Sequence, residues 1–173
     1  FTDRRDLALT VSGSRPAAIF DQAVDEVVGF QGDPVATLGR ALEIDDQFVL
    51  AHYLSAMMNI IGNASSRLDE AKLSLEQVRQ SVDLATEREQ LHGVAVEAWC
   101  DLKLERASNL YQKILSDYPN DLMAMFAGHW LDFYRGDAQS LRGRIARALR
   151  AWDESVPGYH WLLGMYAFGL EEM

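Results

Sequence analysis

Residues 105–121 read ERASNLYQKILSDYPND, and this stretch decides the fold. Ala107, Tyr111 and Ile114 recur at i, i+4 and i+7, which places a small, an aromatic and a branched residue on one helical face. Pro119 then stops the helix, because its ring cannot continue the backbone ladder. A helix with a narrow apolar stripe and a hard stop is built to pack between neighbours.

The pattern repeats along the chain. Thirty-four residues after Pro119 stands Asp153, and Ala107, Tyr111 and Ile114 map onto Leu141, Ile145 and Ala148. In the other direction Asp46 takes the loop position, with Leu38 and Ala41 on the preceding helix. A 34-residue interval between helix pairs is that of the tetratricopeptide repeat. The expected fold is therefore all-α: a right-handed α-solenoid of degenerate tetratricopeptide-like pairs, about nine helices, with a plain helical bundle as the alternative. The pair between Asp46 and Ala85 is longer than the standard repeat.

No stretch alternates with period two, and the Pro and Gly residues fall mostly between periodic segments. Residues 1–15 read as an irregular lead-in and residues 16–173 as the repeat domain. The first helix is expected from Pro16 to Gln31-Gly32, with Ile19, Phe20, Ala23, Val27 and Phe30 inward. Asp33-Pro34 caps the second, and Asp46 is expected to cap a third that Gly62-Asn63 ends. Ser66 with Asp69 starts the fourth, with Leu68, Ala71, Leu75, Val78 and Val82 as its stripe. Thr86 with Glu89 forms a capping box for the fifth, which runs to Leu102. The sixth spans 105–118 and the seventh 121–135. Asp137 caps the eighth, and the ninth follows Pro157-Gly158. The final segment, WLLGMYAFGLEEM, reads as a first helix lacking its mate, so the native protein is expected to continue beyond Met173.

Sixteen basic and 26 acidic residues give a net charge of −10, with a pI near 4.8. Such a field repels phosphate backbones and anionic lipid, which argues against nucleic-acid or membrane partners. No apolar run is long enough to span a bilayer. A single cysteine, Cys100, forms no intrachain disulfide, and the expected compartment is the cytoplasm.

Asp3-Arg4-Arg5-Asp6-Leu7, Thr86-Glu87-Arg88-Glu89-Gln90-Leu91-His92 with Ala95-Val96-Glu97, and Tyr166-Ala167-Phe168-Gly169-Leu170-Glu171 occur in this order. Together they resemble the N-terminal portion of the tetratricopeptide repeat protein 38 family. The resemblance implies a longer helical-repeat protein with a further helix after Met173, and it assigns no activity.

In such solenoids the first helix of each pair lines the concave face at repeat positions 2, 5, 9, 12 and 13. With Pro119 at position 32, these are Glu89, His92, Val96, Trp99 and Cys100, then Met123, Phe126, Trp130, Phe133 and Tyr134. The expected function is a protein or peptide scaffold gripping its partner there, with Trp99, Phe126, Trp130, Phe133 and Tyr134 giving contact area and Glu89 and His92 polar specificity. The alternative for these rings is packing against adjacent helices. Catalytic and metal sites are not expected, and no cofactor is. Glu89-x-x-His92 occurs once, whereas di-iron bundles need two such units and two further carboxylates. No His pair has i, i+4 spacing, and His129 with Asp132 reads as a helix-surface hydrogen bond. His92 and Cys100 lie about 12 Å apart along one helix. Arg142, Arg144, Arg147 and Arg150, with Arg135 before them, read as a solvated outer face. Two further readings stay open: the helical N-terminal domain of an enzyme whose reactive residues lie beyond Met173, and self-association through the open C-terminal end.

Overall fold

The computed structural model describes residues 1–61, 65–79 and 81–173, the side chains of residues 65–67 excepted. Nine α-helices form among the described residues: α1 (Ser14–Val28), α2 (Pro34–Ile44), α3 (Val49–Ile61), α4 (Ser65–Gln77), α5 (Glu87–Cys100), α6 (Leu104–Asp117), α7 (Leu122–Tyr134), α8 (Ala138–Ala148) and α9 (Tyr159–Glu171). Among the described residues no helix is long and apolar enough to cross a membrane.

Helix starts follow from local chemistry. Asp33, Asp121 and Asp137 each accept a backbone N–H from the first turn they precede, satisfying donors that the helix itself leaves unpaired. Thr86 and Glu89 complete the capping box of α5. Asp46 does not cap α3, which begins only at Val49; its carbonyl instead accepts from His52 at 2.9 Å. The Gly62-Asn63 stop lies outside the described residues, as does the Ser66 side chain. Glycine supplies the left-handed turn after α7 at Gly136 and the left-handed N-cap of α9 at Gly158, with φ of 64° and 100°.

The positions that the 34-residue spacing marks as inward are buried. Ala107, Tyr111 and Ile114 are fully buried, as are Leu38 and Ala41, and Leu141, Ile145 and Ala148 follow them inside. Helices pack chiefly on their sequence neighbours, α1 on α2, α3 on α4, α5 on α6 and α7 on α8. The loops that the register makes equivalent also meet, because the Trp152 indole donates to the Pro119 carbonyl at 2.7 Å.

The lead-in before α1 holds its place without a helix or a strand. An isolated bridge joins Thr2 and Ala8, and buried side chains hold the segment. Glu89 accepts from the Thr10 amide and hydroxyl at 2.8 and 2.6 Å, while Arg88 donates to the Ala8 carbonyl at 2.8 Å. Arg5, buried in turn, donates to the Pro157 carbonyl at 3.0 Å and to Asp21 and Asp25 at 3.4 and 3.2 Å. These contacts tie residues before α1 to α1, to α5 and to the loop before α9.

Burial and the neighbouring Asp3 raise the Asp21 carboxyl from 3.8 to about 6, with Arg5 and Arg4 opposing. A raised native value means that the folded state holds this proton longer, so Asp21's contribution falls as pH rises through that window and is constant above it. Asp21→Asn is therefore expected to change stability, relative to wild type, more favourably at pH 6.5 than at pH 4. Urea midpoints of the two proteins at both pH values check this; an offset independent of pH would contradict it.

Candidate functional site

Two stripes with the same spacing face one cavity of about 460 Å³: Phe126, His129, Trp130 and Phe133 on α7, and Trp161, Gly164, Met165 and Phe168 on α9. Each is i, i+3, i+4, i+7, one side of a helix. Val28 and Phe30, from the end of α1, close the third side. The volume lies within the roughly 300–1,000 Å³ range of binding sites. Its depth is graded. Phe126 and His129 are 5% and 8% exposed and form the floor, whereas Phe133 at 42% and Phe30 at 77% stand at the rim.

The rings form a connected set. Trp130 meets Phe126 and Phe133 edge-on, with centroids 6.1 and 6.0 Å apart, and Phe133 reaches Phe168 at 5.6 Å. Phe30 sits over Phe126 and Trp130 at 6.0 and 6.4 Å. It does not continue the buried face of α1. The helix ends at Val28, and Phe30 takes a left-handed φ of 50°, with its N–H bonded to Val27 and that of Gln31 to Glu26. Glycine ordinarily holds this place, and a bulky side chain there is strained. Gly29 is small for a related reason: a Cβ on it would fall 2.9 Å from the Trp161 ring.

His129 lines the wall with its imidazole, buried at 8% exposure. Burial pushes the imidazole down to about 4, Asp132 resisting and Arg144 assisting, so it is neutral at pH 7. The expected His129–Asp132 surface hydrogen bond is absent. Both residues are buried, and Asp132 instead takes a two-pronged bond from Arg144, Nε to Oδ2 at 2.9 Å and Nη2 to Oδ1 at 3.0 Å. Ser108 donates to the same carboxylate at 2.7 Å. Arg144 is thus an interior residue; of the arginine cluster, Arg142, Arg147 and Arg150 are exposed.

The predicted concave set divides. Phe126, Trp130 and Phe133 line the cavity, and Tyr134 stacks on Trp130 at 5.4 Å from outside it. Glu89, His92, Val96 and Trp99 are buried, as are Met123 and Cys100, which corrects their assignment to an open groove. The reason is occupancy. Glu89 is consumed by Thr10 and Thr86, and His92 bonds Asp121 at 2.9 Å while its ring packs edge-on against Tyr111. Burial raises the Cys100 thiol to about 11, keeping it protonated at neutral pH. Among the described residues no three His, Cys, Asp or Glu side chains gather as a metal site.

Sequence reading missed the α9 wall, although the signal was present. Carried 34 residues beyond Trp130 and Tyr134, the register lands on Gly164 and Phe168. A glycine where the preceding pair carries tryptophan is what opens the cavity. No protein-family model and no solved structure matches this chain.

Proposed function

We propose that the helix pairs stack as a tetratricopeptide-like solenoid that serves as a cytoplasmic protein- or peptide-recognition scaffold, its grip being the aromatic cavity between α7, α9 and the end of α1. The carrying observation is that cavity: two matched helical stripes leave an apolar concavity that the chain's own side chains do not fill. Phe30 supports the reading, because a bulky residue held at a left-handed φ keeps a largely exposed ring at the rim, over Phe126 and Trp130. The buried register and the Trp152–Pro119 link support the solenoid. The polar specificity assigned to Glu89 and His92 passes to His129.

Gly164 offers a clean test. A Cβ built on it meets nothing within 4 Å, so Gly164→Leu starts from open space at the cavity wall and gains up to about 1 kcal/mol of helix propensity. Twelve-residue peptides selected on the wild-type chain from a display library are expected to share an apolar anchor and to lose at least tenfold in affinity on Gly164→Leu. Trp130→Ala, which removes a wall ring, is expected to weaken them while the helical signal stays intact. Selected peptides that bind Gly164→Leu undiminished would place recognition elsewhere.

A further inference from the structure

We infer that Arg5 is the positioning residue of the cavity: its guanidinium bridges α1 to the loop that opens α9 and so fixes how far apart these two walls stand; this rests on the reading above. Neither helix packs chiefly on the other, since α1 packs on α2 and α9 on α8. They approach where the Trp161 ring lies against Gly29, and Arg5 supplies the polar link beside that contact. The residue is 5% exposed. Nη1 and Nη2 donate to Asp21 and Asp25 of α1, while Nε donates to the Pro157 carbonyl. A planar guanidinium directs such donors as a rigid fork, which a single ammonium does not reproduce. The acceptors are well placed to steer the walls. Val28 follows Asp25 by three residues and Trp161 follows Pro157 by four, so on both sides the link lies about one helical turn before the cavity begins. Arg5 is itself aimed by a tight turn. Asp3 accepts the Arg5 and Leu7 amides at 2.8 and 2.9 Å, and Asp6 takes a left-handed φ of 61°. A residue that touches no partner still sets a site's affinity in this way, because wall atoms displaced by roughly 0.5–1 Å forfeit about a quarter to a half of their contact energy.

The test titrates toluene, an apolar probe, into the intact chain at pH 7 and follows the indole NMR signals of Trp130 and Trp161. The proximity of Gly29 to the Trp161 ring is read from the same samples as a nuclear Overhauser effect. Arg5→Lys keeps a charge beside Asp21 and Asp25 but loses the fork that also reaches Pro157. It is expected to bind toluene about fivefold more weakly than wild type and to weaken the Gly29–Trp161 signal. Asp25→Ala cuts the α1 side of the bridge at a side chain that is 31% exposed. A smaller loss in the same direction is expected there, and this variant decides the matter if Arg5→Lys does not fold. Thr10→Val removes the hydroxyl bond to Glu89 from the same N-terminal segment without touching the link between α1 and α9, and is expected to leave both readouts at their wild-type values. Wild-type affinity in Arg5→Lys and Asp25→Ala overturns the positioning role and leaves the cavity reading standing. A loss in Thr10→Val as large as that in Arg5→Lys also overturns it, since a general slackening of the segment would account for both. Toluene that moves no indole signal of the wild-type chain overturns the recognition reading itself, and this inference with it.

Discussion

Replacing Asp121 by alanine is expected to destabilise the fold by roughly 4 kcal/mol, lowering the thermal midpoint by ~12 °C. Three separate duties end at once. The carboxylate accepts from Arg88 at 2.5 Å and from His92 at 2.9 Å, and it caps α7 through the Ala124 amide at 2.8 Å. Arg88 is itself buried, so its charge would be stranded inside the protein. Asp121→Asn, which keeps a capping oxygen but not the charge, is expected to lose less, and the gap between the variants measures the ionic part. Burial works against ionisation of Asp121, yet His92 and Arg88 outweigh it and hold the carboxyl well below the usual carboxylate range. A lowered native value gives stability that is full above about pH 4 and is lost as acid protonates the group. The wild-type advantage should therefore shrink on acidification. Calorimetry of the three proteins at pH 7 and pH 3 decides; an Asp121→Ala midpoint within a few degrees of wild type at pH 7 would show that the cluster contributes little.

Arg144→Met is expected to cost about 3–5 kcal/mol, because it leaves the fully buried Asp132 without its main counter-charge. Adding Asp132→Leu should recover most of that loss, since a buried ion pair and an apolar pair of similar volume are often close in stability. Gly128 sits against the same guanidinium, with a Cβ there falling 2.7 Å from its central carbon. Gly128→Ala is expected to displace Arg144 and reproduce part of the single-mutant loss. Urea denaturation of this set forms a double-mutant cycle. A double variant no more stable than Arg144→Met would sink the ion-pair account, and so would a harmless Gly128→Ala.

These two clusters mark the boundary of what the sequence disclosed. Caps were legible because an Asp or Thr acts on amides two or three residues away, and Asp33, Thr86 and Asp137 behave as their spacing predicts. The inward positions were legible because periodicity is local, as Tyr111 and Ile114 demonstrate. Asp132 and Arg144 were read as polar surface and Glu89 as groove lining because an isolated charge belongs in water, and partners that bring such groups inside sit far away in sequence, Thr10 lying 79 residues from Glu89 and Ser108 36 from Arg144. Half of the cavity was legible for the same local reason, through Phe126, Trp130 and Phe133. Phe30 was not, because its pattern fits the α1 stripe and only the chain's left-handed turn after Gly29 lifts it to the rim.

Helix pairs that touch mainly their neighbours can fold piecemeal, since few contacts must wait for distant chain to arrive. The N-terminal clasp alters that schedule. Arg5 reaches the Pro157 carbonyl across 152 residues of chain, a loop closure that no early, local step can complete. Synthesis makes the clasp 152 residues before this receptor, so the segment waits while the helices between them assemble. For these helices the closing step is then a fastening, and a chain interrupted before Pro157 lacks the point on which it closes.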